Sequence, residues 1–176
     1  MIQPFLAAID GLCRLCAYGA AVLVVLLAIL GLSEIVSRAL FNYSIPFALE
    51  YGTYFLGLAM FMGLGWALRE GAHIRLSLVP ERLSPAHRRM LEFVITAVGL
   101  AISLYASFAI VMMVIGTAKL GTVSFYPSRT PLVYPQALFA LGLVTLSLAL
   151  VARLVRIWLG EATETGDAND RPAEHV

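Results

Sequence analysis

Charged side chains are scarce in this sequence, and long parts of it have none. They make up 13% of the 176 residues, whereas a soluble domain carries about 25%. Four stretches lack any charged residue: 15–33, 51–68, 93–118 and 130–152. Each is close to or longer than the roughly 20 residues that an apolar helix needs to cross a bilayer, where backbone groups must bond within the segment. The sequence therefore predicts an all-α integral membrane protein with four transmembrane helices.

We place the spans near residues 15–38, 48–68, 90–116 and 133–153, within one membrane domain of residues 1–160. Residues 161–176 carry five acids, one arginine and no apolar run, so we expect a polar, disordered tail. The first 14 residues place apolar side chains at helical spacing, with Asp10 and Arg14 as a candidate i,i+4 ion pair. This segment is either a short interfacial helix or the start of the first span.

Histidine is absent from all four predicted spans, which excludes a haem held between facing spans. The middle of each span also lacks acids, bases, asparagine and glutamine, and no span has the Gly/Pro interruption of a broken helix. A transporter that acts alone usually needs such groups near the bilayer midplane. The chain is therefore a poor candidate for carrying a substrate by itself. We predict no catalytic residue, no cofactor, no metal and no nucleic-acid partner.

Only two cysteines are present, Cys13 and Cys16, in a C-x-x-C spacing that suits thiol–disulfide exchange. A four-span membrane redox enzyme that uses this pair is the alternative function. The sequence has no second pair to pass electrons onward, and the charge pattern described next places the two thiols on the reducing, cytoplasmic side. Small buried cysteines at helical spacing are ordinary packing residues.

Basic residues are distributed unequally between alternate sides of the predicted membrane. Eight lie before the first span, in the second connection or after the fourth span: Arg14, Arg69, Arg75, Arg82, Arg88, Arg89, Arg153 and Arg156. Three lie in the first and third connections: Arg38, Lys119 and Arg129. The positive-inside rule then places both termini and the second connection in the cytoplasm. We call the end with the first and third connections the outer end, and the opposite end the inner end.

Polar residues mark the outer end of the first span. Glu34 and Arg38 are four residues apart, in the order that favours a helical ion pair. They form either a local pair at the interface or, as we favour, a buried contact with Glu50 as a further candidate member. A proton-coupled exporter that uses Glu34 is disfavoured, because this residue lies near the end of its span and not at the midplane.

Small residues recur at helical spacing on two spans. Ala59, Gly63 and Ala67 follow an i, i+4, i+8 pattern, as do Gly99, Ser103 and Ser107. Such faces allow helix backbones to approach closely. One face packs within the bundle, and we expect a second face to meet a partner, because four helices cannot bury every face.

An ordered set of residues flanks the second span. An arginine closes span one, a polar turn and an aromatic residue follow, a glutamate opens span two, and a basic residue, a glycine and His-Ile come after it. These are Arg38, Asn42, Ser44, Phe47, Glu50, Arg69, Gly71 and His73-Ile74. The set resembles the small membrane subunit, the DctQ-like Q component, of a tripartite ATP-independent periplasmic (TRAP) transporter. Phe47 departs from the tryptophan frequent in that family, and Ser77 from an acid.

The resemblance implies a heteromeric system in the bacterial inner membrane. A periplasmic binding protein captures an organic acid, and a large multi-span permease subunit moves it with an ion gradient, usually sodium. The small subunit, surrounded by membrane lipid, scaffolds the large one and helps to dock the binding protein. The residues expected to hold structure or meet a partner are Glu34, Arg38, Asn42, Ser44, Phe47, Glu50, Ala59, Gly63, Ala67, Arg69, Gly71 and His73.

Overall fold

Four helices make up most of the described chain. The computed structural model describes residues 2–71 and 85–160. Helix α1 spans Ile2–Phe41, α2 spans Ala48–Arg69, α3 spans Pro85–Leu120 and α4 spans Val133–Leu159. All four are long and apolar enough to cross a membrane. The prediction of an all-α protein with four transmembrane helices is confirmed.

The N-terminal segment belongs to the first helix. Helix α1 runs without interruption through 40 residues, which at 1.5 Å per residue gives a length of about 60 Å. That is about twice the thickness of the hydrocarbon core. Residues 2–14 are therefore the start of α1 and not a separate interfacial helix. The predicted tail, residues 161–176, lies outside the described residues.

A residue with a positive φ angle follows the end of each helix. These residues are Asn42 (51°), Gly71 (69°), Gly121 (61°) and Gly160 (74°). Glycine and asparagine adopt this left-handed conformation most readily, and it turns the chain out of the helix. After α4, the N–H of Gly160 returns to the carbonyls of the last helical turn. The helix boundaries thus coincide with the residues best suited to end them.

Helix α4 is the centre of the bundle. Helices α1, α2 and α4 contact one another, whereas α3 packs along α4 and has little contact with the other two. In the most apolar part of α4, 39% of the residues are buried, compared with 11% in α1 and in α3. Long apolar faces of α1 and α3 are therefore left uncovered by the chain itself.

The main apolar core lies at the inner end. Leu6, Ile9 and Cys13 of α1 pack against Ala149 and Ala152 of α4, and all five are buried. Trp66 and Leu68 of α2, with Leu148 and Val155 of α4, surround this cluster. The first turns of α1 are thus held against two other helices, which explains why they do not lie separately on the membrane surface.

Two glycines bring α2 and α4 into close contact. A Cβ atom added to Gly142 of α4 would lie 2.8 Å from both the carbonyl carbon and the oxygen of Phe61 in α2. One added to Gly65 of α2 would lie 3.1 Å from Cys13 Sγ and 3.3 Å from Thr145 Cγ2. The backbones touch at these positions because no side chain separates them.

Replacing Gly142 with alanine should destabilise the bundle by about 1–3 kcal/mol, because the new methyl group meets backbone atoms that cannot rotate away. The measurement is thermal unfolding of the purified chain in one detergent. Gly31→Ala is the matched control, since a Cβ at Gly31 meets nothing within 4 Å. Equal unfolding temperatures for the two variants would contradict the close contact between α2 and α4.

Candidate functional site

The first polar cluster fastens the first connection to the end of α1. Arg38 Nε donates a hydrogen bond to Glu34 Oε1, and Arg38 Nη2 donates to Ser44 Oγ at 2.9 Å. Ser44 Oγ in turn donates to Glu34 Oε1 at 2.8 Å, and the N–H of Ile45 donates to Glu34 Oε2 at 2.8 Å. Glu34 therefore holds the chain as it turns from α1 towards α2.

The expected buried contact between Glu34, Arg38 and Glu50 is wrong in two respects. The Glu34 side chain is 16% exposed but the Arg38 side chain is 66% exposed, so only one member of the pair is largely covered. Glu50 belongs to a separate cluster, because its described partners lie in α2 and in the third connection. The physical reason is that Ser44 and the Ile45 amide, which belong to the first connection, already occupy the Glu34 carboxylate with hydrogen bonds.

The second polar cluster surrounds Glu50, whose exposed fraction is 1%. Tyr54 donates its hydroxyl to Glu50 Oε1 at 3.0 Å, and Ser128 donates to Glu50 Oε2. Beside it, the hydroxyls of Tyr51 and Thr130 lie 3.2 Å apart. This cluster joins the first turn of α2 to the connection between α3 and α4. The sequence offered no signal for it, because the partner residues are 78 positions apart.

The remaining family-like residues near these clusters have simpler roles. Asn42 supplies the positive φ angle that ends α1. Phe47 precedes the first turn of α2 and meets the Tyr51 ring edge-to-face, with 5.9 Å between the ring centroids. Gly71 follows α2 with a positive φ angle. His73 lies outside the described residues.

A third cluster ties three helices together at the inner end. Arg156 of α4 donates to Asp10 Oδ2 of α1 at 2.7 Å, and Arg69 Nε of α2 lies 3.5 Å from the same oxygen. The predicted pair of Asp10 with Arg14 is wrong: the Arg14 guanidinium lies 5.5 Å from the centroid of the Trp66 ring instead. Asp10 is drawn to the partly buried arginines of the neighbouring helices, with which it shares a cleft.

Helix α3 is attached to the end of α4 by one arginine. Arg89 Nε donates to the carbonyl of Ile157 at 2.9 Å, and Arg89 Nη2 donates to the carbonyl of Trp158 at 2.8 Å. The last carbonyls of a helix lack partners within the helix and carry partial negative charge, so a cation there is favourable. Arg89 was not among the predicted site residues.

Three serine hydroxyls bond to one another between α3 and α4. Ser147 donates to the carbonyl of Leu143 at 3.1 Å. Its oxygen is then the acceptor for Ser103 at 2.8 Å and for Ser107 at 3.1 Å. These hydroxyls satisfy one another and hold the two helices together.

The predicted small-residue faces contribute to packing within the chain. A Cβ atom on Gly63 would lie 4.0 Å from the Cβ of Ala20 in α1, and Ala59 is buried while Ala67 is half-buried. On α3, Ser103 and Ser107 face α4. The role of Ala59, Gly63 and Ala67 towards a partner stays a prediction.

The C-x-x-C pair is buried in the bundle. Cys13 is 1% exposed and Cys16 is 3% exposed, and both thiols are free. Cys16 Sγ lies 3.7 Å from the Thr145 hydroxyl, and Cys13 packs in the inner core. Thiols that exchange disulfides are at least partly accessible. The structure therefore does not support the redox enzyme.

These features define a class: a multi-pass membrane protein whose polar clusters lie at the two ends of its helices and connect its own elements. The family model of tripartite ATP-independent periplasmic transporters, DctQ component, matches residues 27–160. The chain belongs to this family and is a TRAP transporter small membrane subunit. The family is a component of transporters and not a family of enzymes. Neither a curated protein nor a solved structure matches the chain.

Family membership implies a complex with a large permease subunit and a periplasmic binding protein, as the word tripartite indicates. The match begins at residue 27. It therefore includes the clusters around Glu34 and Glu50 and excludes Asp10 and both cysteines. The resemblance drawn from the ordered residues around the second span is confirmed.

Replacing Arg89 with alanine should lower the free energy of unfolding by about 1–2 kcal/mol, because hydrogen bonds from a charged donor to the last carbonyls of α4 are lost. Arg88→Ala is the matched control on the same helix. Arg88 makes an exposed i,i+4 pair with Glu92 at 3.3 Å, which contributes at most about 0.5 kcal/mol. Denaturant unfolding in detergent measures the effect of each substitution. An equal effect of the two would refute the attachment of α3 to the end of α4 by Arg89.

Proposed function

We propose that the chain scaffolds the large permease subunit of an ion-coupled transporter for organic acids. The observation that carries this proposal is the extent of uncovered apolar helix surface. Along α1, Val22 and Ile29 are 58% and 56% exposed, and along α3, Ile102 and Phe108 are 65% and 66% exposed. In a membrane such faces are covered by lipid or by another subunit, and membership of the DctQ family supplies the larger subunit. The coupling to an ion gradient and the class of substrate rest on the family resemblance.

The placement of the polar groups favours a scaffold over a carrier. Described acids of the helical bundle sit near its ends: Glu34 and Glu50 at the outer end, Asp10 at the inner end. Each accepts hydrogen bonds from the chain itself. A carrier would keep polar groups near the midplane available for its substrate, whereas the serines there are bonded to one another.

We further propose that both termini lie in the cytoplasm and that the membrane is the bacterial inner membrane. In support, Arg69 and Arg156 meet at one end of the bundle, around Asp10. Arg89 reaches the end of α4 beside them. A single end that gathers these cations is the end that the positive-inside rule assigns to the cytoplasm.

The outer connections, residues 43–47 and 122–129, are proposed to approach the periplasmic binding protein. Phe125 is 93% exposed and stacks on Tyr126, with 4.8 Å between the ring centroids. Tyr43 and Phe47 of the first connection are about half-exposed. Aromatic side chains are frequent anchors of protein interfaces, since they cover a large area at little entropic cost.

Replacing Glu34 with alanine should weaken assembly with the large subunit more than it weakens substrate affinity. The reason is that the first connection loses its attachment to α1. Assembly is measured as the yield of large subunit that co-purifies with the tagged chain. Ser33→Ala is the control, because among the described residues the Ser33 hydroxyl bonds only its own helix, at Ile29 O. Intact assembly with altered affinity would contradict the proposal, and uptake by this chain alone in liposomes would refute the scaffold role.

Replacing Phe125 with alanine should weaken binding of the transporter's binding protein to the assembled membrane complex by about fivefold or more, as for an exposed aromatic anchor. Leu120→Ala is the control, since Leu120 is 82% exposed at the end of α3 but lies outside the proposed surface. Surface plasmon resonance on the complex in nanodiscs measures the Kd. Crosslinks from the binding protein that reach only the large subunit would count against docking here.

A further inference from the structure

Glu50 is the least exposed charged side chain among the described residues, at 1%. It lies in the first turn of α2, at the outer end. Its described partners are hydroxyl groups and include no basic side chain. Burying a carboxylate is costly, and hydrogen bonds must offset that cost. The structural role of Glu50 therefore depends on which segments its hydrogen bonds connect.

Its bonds hold the third connection, residues 121–132, which we call the outer hairpin. Val123 and Pro131 form an antiparallel bridge, and the N–H of Ser124 donates to Thr130 O at 2.9 Å. A tight turn closes the tip, where the N–H of Arg129 donates to Tyr126 O at 3.0 Å. The hairpin is thus a small folded unit with its own backbone hydrogen bonds.

Glu50 bonds the hairpin at its closing turn. Ser128, which donates to the Glu50 carboxylate, is one of the two central residues of the turn between Tyr126 and Arg129. Thr130 Oγ1 donates to Ser128 Oγ at 3.2 Å, and the Tyr51 hydroxyl lies 3.2 Å from Thr130 Oγ1. The side of the turn that faces α2 is therefore occupied by this hydroxyl chain, while Phe125 is left pointing away from the protein.

We propose that Glu50 is a positioning residue that fixes the outer hairpin in the place from which it meets the periplasmic binding protein. Glu50 itself is buried and does not touch the partner. By holding the turn, it presents the stacked Phe125–Tyr126 pair in one orientation before docking. A surface ordered in advance does not lose that freedom on binding, so affinity is higher. The proposal rests on the docking role of the hairpin proposed above.

The test uses Glu50→Ala and Ser128→Ala in the assembled complex with the large subunit, in nanodiscs. Hydrogen exchange of residues 121–132 should accelerate about tenfold or more in both variants, because the attachment of the hairpin to α2 is lost. The Kd of the transporter's binding protein should rise about threefold to tenfold, while the yield of large subunit stays unchanged. The double variant should add little to either single one, because both remove the same bond.

Two further variants separate positioning from general damage. Glu50→Gln keeps a carbonyl acceptor and an amide donor for the hydroxyls, so it should restore most of the hairpin protection and most of the affinity. Thr53→Val is the matched control, because within the described part of the chain the Thr53 hydroxyl bonds only the backbone of its own helix, at Glu50 O. It should change neither quantity.

Each other outcome overturns a defined part of the argument. Unchanged hairpin exchange in Ser128→Ala overturns the positioning role, even if Glu50→Ala fails to assemble. A second outcome is that the Kd of the binding protein rises in Phe125→Ala and stays unchanged in the Glu50 and Ser128 variants. That result leaves docking at the hairpin intact and overturns the role of Glu50 alone. A faster-exchanging hairpin with an unchanged Kd in all variants, Phe125→Ala included, overturns docking at the hairpin, and the proposal falls with it.

Discussion

A polar group inside a bilayer has no water to bond, so its partner must come from the protein, and this constraint decides where each part of the chain can go. The helices satisfy their own backbones over lengths that reach or exceed the hydrocarbon core. Between α3 and α4 the serine hydroxyls at positions 103, 107 and 147 bond to one another and to a helix carbonyl. Elsewhere the charged groups of the described bundle lie towards the helix ends, where neighbouring helices or the connections supply their partners.

The same constraint explains why the two ends of the bundle differ. At the inner end, Asp10 and Arg156 link α1 to α4, and Arg89 links α3 to α4. These contacts join helices directly. At the outer end, Glu34 and Glu50 bond to residues of the connections. The inner end is thus built to hold the helices together, and the outer end to hold loops in place above them. This division agrees with the proposed roles, in which the chain supports a larger membrane protein and presents a surface to a soluble one.

The helices could be predicted from the sequence because the information is local. Charge-free stretches give the spans, and the spacing of Glu34 and Arg38 gives a pair that is present. The contacts between residues far apart in the sequence could not be predicted from it. Asp10 meets Arg156 across 146 positions, and its predicted partner Arg14 turns to Trp66 instead, because a partly buried arginine on a neighbouring helix competes better for the carboxylate. Gly142 reads as one small residue among many until the crossing of α2 and α4 is known. Glu50 stands out in the sequence, but the sequence favours a contact with Glu34 and Arg38 across the first connection, whereas its described partners lie in α2 and in the third connection.

The inner core shows whether the residues before the family match belong to the bundle. The family match starts at residue 27, which on its own would make the preceding residues an addition to the common bundle. Leu6, Ile9 and Cys13 nevertheless supply the α1 side of the core. Asp10 accepts the hydrogen bond of Arg156, whose side chain is only 7% exposed. Without these turns of α1, a nearly buried guanidinium on the central helix would lose its carboxylate, and removing one partner of a buried ion pair is strongly destabilising. Residues 2–26 are therefore part of the bundle that the central helix α4 requires.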